Sequence, residues 1–242
     1  MTSKSREHVM LVSAHPDPSS FHSAMRAAAV EELEGQGCHV DVSDLYAMRF
    51  KAVLDRNDFE TIQNHDVFNV SLEQRFAWEN QGLSQDIRSE LESLLKADVL
   101  VLMFPLWWFG MPAILKGWID RVFVSGAVYG RSAAFEKGHL AGKDAIVAVT
   151  TGAPASAFGA ESLNGEIGDI LMPLLRGVLG FTGMKVLPPF VGHHVPYIGD
   201  RERVKMMDAW RLYLRERRRL TPLPMPLLSK HPHALGAGVR AE

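Results

Sequence analysis

The chain has 242 residues, 47% of them hydrophobic, and its 26 Lys and Arg nearly balance 28 Asp and Glu to leave a formal charge of −2. That length can bury one sizeable core, and the near-neutral balance gives no electrostatic reason to expect nucleic acid or an anionic membrane surface as a partner. The single cysteine, Cys38, excludes an internal disulfide framework; with no apolar run near the roughly 18–20 residues of a membrane span and no signal-type cleavage site, the expected setting is the reducing cytoplasm.

His8 to Ala14 reads as a short β-rich strand. A turn with two prolines leads to Phe21–Glu34, where Met25, Ala28, Ala29 and Leu33 recur at helical spacing. Gly35 and Gly37 end that helix, and Cys38–Val42 alternates as a second strand. Leu45 to Gly82 is a polar excursion with one short helix. Ser84–Lys96 places Ile87, Leu91, Leu94 and Leu95 on one face, with Ser84 positioned as a cap. Strands follow at Val99–Phe104, Ala145–Thr150 and Lys185–Val191, and helices at Pro112–Phe123, Gly165–Leu179 and Arg201–Arg218. Apolar strands alternating with helices predict an α/β fold, a doubly wound three-layer sandwich around five parallel strands. One domain over residues 1–220 is expected, followed by a Pro-rich tail, 221–242, that drapes over the body or a partner or is partly disordered.

Ligands of such sheets bind beyond the carboxyl ends of the strands, which singles out three loops. In the first, His15 to Ser23, Ser19, Ser20 and His22 stand just ahead of a helix N-terminus, where unpaired N–H groups and the dipole favour a phosphate; the plainer alternative is that Ser19 or Ser20 only caps the helix. The second, FPLWWFGMP, puts Trp107 and Trp108 in a turn, as ring faces for a planar ligand or as core or interface residues. The third, Thr150 to Gly159, offers hydroxyls at Thr150 and Thr151 and close backbone approach at Gly152 and Ala153, or is a plain turn. Trp118 is expected to pack, and Tyr129 either lines a site or packs. His193 and His194 point to opposite faces of a strand with no cluster to complete a tetrahedral set, so no metal is expected. The run Arg215–Arg219 reads as a solvated helix end. The glycine fingerprint of dinucleotide folds, the Walker lysine and the G-x-S-x-G elbow are all missing.

The segments AHPDPSSFHSAM, SDLYAMRF, FPLWWFGMPAILKGWIDRVF, VTTG and GEIGDILMPLLRGVLGFTGMKVLPPF resemble the flavin-dependent NAD(P)H:quinone oxidoreductases of flavodoxin-like fold, strand order 2-1-3-4-5, over about Val9 to Leu214. The resemblance implies a bound FAD, with FMN as the other possibility, NAD(P)H as co-substrate, a quinone as acceptor in a two-step hydride transfer, and a homodimer with active sites at the subunit interface. It places His15, Ser20, Phe21 and His22 around the diphosphate and ribityl chain, with His22 where an Asn is common. Pro105, Leu106, Trp107, Trp108 and Phe109 would flank the isoalloxazine and turn amides to its N5 edge. Thr150, Thr151, Gly152 and Ala153 would face its pyrimidine end, and backbone donors there would hold charge building at N1 and O2. Asn69 and Arg203 align near the adenosine half, and Tyr129 would wall the pocket for nicotinamide and quinone.

Phe158 and Asn164 stand where mammalian members carry a Tyr and a His thought to take up charge, and neither exchanges a proton near neutral pH. The same resemblance leaves a second function, a regulatory flavoprotein on a membrane transporter such as a potassium efflux system. A third, a small electron carrier, fits poorly because such carriers are usually acidic.

Overall fold

The apolar runs become strands because β-branched and large side chains crowd them and both faces of each find cover. The computed structural model describes residues 6–130 and 132–231. In chain order these form β1 (His8–Ser13), α1 (Phe21–Gly35), β2 (His39–Asp44), α2 (Val70–Glu79), α3 (Gln85–Lys96), β3 (Val99–Pro105), α4 (Ala113–Val122), β4 (Asp144–Thr150), α5 (Ile167–Leu174), β5 (Lys185–Val186), β6 (Phe190–Gly192) and α6 (Asp200–Glu216). The sheet order is β2-β1-β3-β4-β5, every pairing is parallel, and β6 also pairs β4. This is the flavodoxin-like order.

Alternation along the strands sorts the core into two layers. Met10, Val12, Leu100, Leu102, Phe104, Val147 and Val149 face α3, α4 and α5 through Leu91, Leu94, Trp118, Val122 and Leu171. Their neighbours Val9, Leu11, Val101, Met103, Ile146 and Ala148 face α1 and α6 through Met25, Leu33, Trp210 and Leu214. Trp118 is fully buried and donates from Nε1 to Glu90 Oε2 at 2.7 Å, as packing requires of a buried indole. Burial pushes the Glu90 carboxyl above its ordinary range, against the bonds from Trp118 and Ser43 that favour the anion.

The excursion after β2 is held down by one buried cation. Arg121 of α4 pairs in a fork with Asp58 (3.1 and 2.9 Å), reaches Asp86 at 2.6 Å and the Lys51 carbonyl at 2.9 Å, and lies over the Phe50 ring. Gly117 of α4 allows this approach, because a Cβ there would overlap the backbone of Ala52.

Four expectations need correction. The fifth strand is two pieces, because Pro188 and Pro189 carry no N–H and break the ladder between Val186 and Phe190. The helix expected over Gly165–Leu179 starts only at Ile167 and passes at Leu175 into a π-helical turn to Gly180, behind Pro173 and with glycines at 177 and 180. Ser84 precedes α3 but makes no side-chain cap; its hydroxyl donates to Asp86. Arg217 is no solvated helix end: it is 2% exposed and bonds Glu7, Gln36 and the Leu214 carbonyl. Beyond α6, the Leu223 amide donates to Val186 O at 2.8 Å, Met225 touches Gly180, and the amides of Leu228 and Ser229 donate to the Glu136 carboxylate. The rest of the expected tail, 232–242, lies outside the described residues.

Candidate functional site

The loops after β1, β3 and β4 meet at the carboxyl end of the sheet around a cavity of about 530 Å³. His15, Ser20, Phe21 and His22 line it from the first loop, Pro105, Leu106 and Trp107 from the second, and Thr150, Thr151 and Gly152 from the third, with Arg203 reaching in from α6. The segment after β6 adds Val195 and Pro196. Sequence reasoning passed over that segment, although the rule that ligands sit at carboxyl ends of strands points to it as well.

In the first loop the hydroxyls serve the loop itself. Ser20 is the N-cap of α1 and accepts from Ser23 N at 3.1 Å. Since Ser23 Oγ gives its hydrogen to Asp17 O (2.9 Å), the 3.0 Å contact between the two serines spends the Ser20 hydrogen as well. Ser19 donates both N and Oγ to the Asp17 carboxylate, and these bonds, the hydroxyl first, hold that carboxyl below its usual range. What faces a ligand is therefore the helix end and two imidazoles. The amides of Phe21 and His22 carry no hydrogen bond to the described residues, as the first turn of a helix leaves them. His15 stacks on His22 with ring centroids 5.3 Å apart and 21° between planes. His22 is 2% exposed, its Nε2 lies 3.4 Å from Ser13 Oγ and its Nδ1 is buried without a partner. Burial first, then the neighbouring His15 and Arg26, lowers its pKa from 6.5 to about 3, so the imidazole is neutral throughout the physiological range.

The second loop is a tight turn in which Trp107 N and Gly110 N each bond the other's carbonyl at 3.0 Å. Its central residues, Trp108 and Phe109, sit at φ +50° and +59°, left-handed backbone that bulky residues seldom adopt and that costs on the order of 1–3 kcal/mol each. Neither Trp is a core residue: Trp107 is 42% exposed, Trp108 98% and Phe109 54%. The expectation that this loop turns its amides to the N5 edge of a flavin is narrowed to two of them. Leu106 N is tied to Thr150 O and Trp107 N to Gly110 O, which leaves the amides of Trp108 and Phe109 without a partner among the described residues.

In the third loop Thr151 is structural, its amide donating to Gly192 O and its hydroxyl to Ala153 O at 2.8 Å. The amides of Gly152 and Ala153 have no partner among the described residues, and a Cβ at Gly152 would meet open space within 4 Å. His193 and His194 buttress this loop: His194 Nδ1 lies 2.9 Å from Gly152 O and His193 Nδ1 3.3 Å from Thr151 Oγ1. Burial lowers the His193 pKa.

Several expected site residues stand elsewhere. Asn69 caps α2 by accepting from Leu72 N and lines a separate hollow with Asn64 and Asp66. Phe158 packs on His193, ring centroids 5.3 Å apart, and Asn164 is held by its backbone amide to Ala157 O. Neither lines the cavity. Tyr129 lines a different cavity of about 550 Å³ with Ile119, Phe123, Val178 and Phe181, beside the π-helical turn.

Residues 7–214 match a family described as having a flavodoxin-like fold. The human ribosyldihydronicotinamide dehydrogenase [quinone] is 38% identical over 217 residues, 89% of this chain and 94% of that one. The chain belongs to the flavin-dependent NAD(P)H:quinone oxidoreductase family. A second relative, NAD(P)H dehydrogenase [quinone] 1 of Cavia porcellus, is 36% identical over 88% of this chain and 78% of its own. The crystal structure of a Klebsiella pneumoniae protein described as a quinone reductase superposes with a TM-score of 0.85 at 35% identity, covering 90% of this chain and 87% of that one. As a member of this family the chain is an oxidoreductase, and no helix of its described residues is long and apolar enough to cross a membrane.

A flavin fits the residues present. A neutral ring nitrogen without a partner, two open helix-end amides, and open amides at Trp108, Phe109, Gly152 and Ala153 are the complement of a phosphate chain joined to a planar, acceptor-rimmed heterocycle.

Proposed function

We propose that the chain is an NAD(P)H dehydrogenase of quinones that holds FAD in the 530 Å³ cavity and reduces its acceptor by two electrons in a two-step, ping-pong cycle. The observation that carries this reading is the convergence of three strand-end loops whose unpaired groups are almost all main-chain donors. The flavin, when bound, supplies the site that takes hydride from NAD(P)H and passes it on. The protein positions the reactants and supplies fixed dipoles.

Phe21 and His22 amides meet phosphate at the positive end of α1, and neutral His22 adds a donor without adding charge. The free amides of Gly152 and Ala153, and those of Trp108 and Phe109, would supply preorganised donors to the ring of a bound flavin. FAD rather than FMN is the reading because Phe21, Val195, Pro196 and Arg203 also line the cavity, with the guanidinium 5.7 Å from the Phe21 ring centroid, and offer a planar and a cationic surface for an adenosine half. A mononucleotide has no such half. Tyr129 lies outside the cavity of its own chain, so this reading uses a homodimer in which Tyr129 of a second copy walls the nicotinamide and quinone pocket. A cytoplasmic setting goes with it, supported by the lone cysteine.

The test is to purify the protein, record its visible spectrum, release and identify the chromophore, and titrate with NADH and NADPH before adding a quinone. A yellow protein that releases FAD, bleaches with either nucleotide and recovers colour with quinone is expected. Colourless protein that takes up neither FAD nor FMN ends the reading. Reduction without turnover, with retention on a membrane transporter, transfers it to a regulatory flavoprotein.

A further inference from the structure

The amino ends of β1 and β2 carry a group of side chains that the flavin chemistry does not use. His8 opens β1 and pairs in register with His39 on β2. Asp41 follows His39 by two residues, and alternate strand residues share a face, so all three project from one side of the sheet. The His8 and His39 rings stand nearly edge to face, 70° apart with centroids at 5.0 Å. His39 Nε2 lies 3.1 Å from Asp41 Oδ1. One nitrogen or oxygen from each of the three lies within 4.8 Å of the others, and among the described residues no other His, Cys, Asp and Glu side chains meet in this way.

A surface ion pair between His39 and Asp41, worth roughly 0–1 kcal/mol, would explain two of the three groups. It does not explain the third: His8 Nδ1 is buried and has no hydrogen-bond partner.

Tetrahedral zinc with ligands at about 2.0–2.2 Å holds its donor atoms roughly 3.3–3.6 Å apart. The His39–Asp41 separation is already close to that, and the other separations are at most 4.8 Å. The side chains of His39 and Asp41 are 42% and 41% exposed, so an ion from solvent has access and the side chains have room to adjust. Two imidazoles and a carboxylate suit zinc and its first-row neighbours; calcium and magnesium prefer all-oxygen shells and copper(I) prefers sulfur.

We propose that His8, His39 and Asp41 form a binding site for Zn²⁺ or a similar divalent cation, with water completing the shell. The ion would tie the edge strand β2 to β1. β1 is six residues long and at about 3.3 Å per residue it separates this site from the flavin loops by nearly 20 Å. The inference therefore stands apart from the flavin reading, and its consequence is stability: an ion that binds only the folded chain raises its melting temperature by mass action.

The experiment takes the full-length protein, stripped with chelator and dialysed, through calorimetric titration with zinc chloride and thermal melts with and without zinc. His39→Asn and Asp41→Ala are compared with wild type, both changes being at half-open positions, with circular dichroism as the check on folding; Cys38→Ala controls for a thiol ligand. One zinc per chain, a higher melting temperature, affinity at least tenfold weaker in H39N and D41A, and unaltered binding in C38A are expected. No uptake at a tenfold excess of zinc, or uptake by H39N and D41A equal to wild type, overturns the proposal, whatever the flavin content.

Discussion

Gly152 and His22 divide the work of the cavity at the scale of single residues. At Gly152 a side chain would meet open space rather than protein, and that space is the cavity. Gly152→Leu is therefore expected to fold as stably as wild type, within about 0.5 kcal/mol, while its affinity for flavin falls more than tenfold, about 1.4 kcal/mol. Fluorescence titration of the apoprotein checks this, and unchanged affinity removes the third loop from the site. His22 bears on pH. Its folded-state pKa of about 3 lies below the ordinary 6.5, so between those values the unfolded chain binds a proton that the folded chain refuses. Stability is unaffected above pH 6.5 and falls as pH drops towards 3, by about 1.4 kcal/mol per unit from this group alone. Urea melts of His22→Asn apoprotein across that window are expected to show a slope shallower by that amount; equal slopes mean that the imidazole is charged when folded. That His22 lines the cavity was legible from its place ahead of a helix, but its neutrality was not, since burial and the nearby His15 and Arg26 set it.

Among the elements, α4 shows how packing outweighs pattern. Its apolar spacing was plain in PAILKGWIDRV, yet the residue that fixes the long excursion is its one buried arginine. Arg121 and Asp58 are each 1% exposed along their side chains, and removing one partner strands the other charge in the core. Asp58→Ala is expected to cost about 3–5 kcal/mol of unfolding free energy, measurable by urea denaturation; a loss below 1 kcal/mol means that Lys51, Asp86 and water already satisfy the guanidinium. Nothing in the sequence of residues 45 to 82 announced this, because the partners lie 35, 63 and 70 residues apart along the chain. The divided fifth strand could have been foreseen from the two prolines in KVLPPFVG. The strained turn at Trp108 and Phe109 could not, since left-handed backbone is the last thing aromatic residues predict.

For the whole molecule, the segment after α6 closes the side of the sheet that the short β5 leaves thin. Leu223 and Met225 pack on the core cluster, and Glu136 receives the amides of Leu228 and Ser229. Those bonds, Ser229 first, hold the Glu136 carboxyl at about 2 against an ordinary 4.5, so this anchor persists above pH 4.5 and is lost as pH falls towards 2. A chain ending at residue 220 is expected to lose roughly 2–4 kcal/mol, from two partly buried apolar side chains and a few hydrogen bonds, and to melt correspondingly lower. An unchanged melting temperature shows the segment to be a passive tail.

By itself the sequence determined the sandwich, the order of strands and helices, and the rim on which a ligand would lie, because these depend on periodicity and on where apolar runs end, which are local properties of the chain. It also supplied most of the residues that now line the cavity. Only the tertiary structure decided which donors remain open there: the hydroxyls of Ser19, Ser20 and Thr151 turn inward to hold their own loops, and main-chain amides and an uncharged imidazole take their place. It also moved Asn69, Phe158, Asn164 and Tyr129 out of the cavity and gathered His8, His39 and Asp41 at the far end of the sheet. Hydrogen-bond satisfaction, burial and cross-strand register are set by partners distant along the chain, and no local pattern carries them.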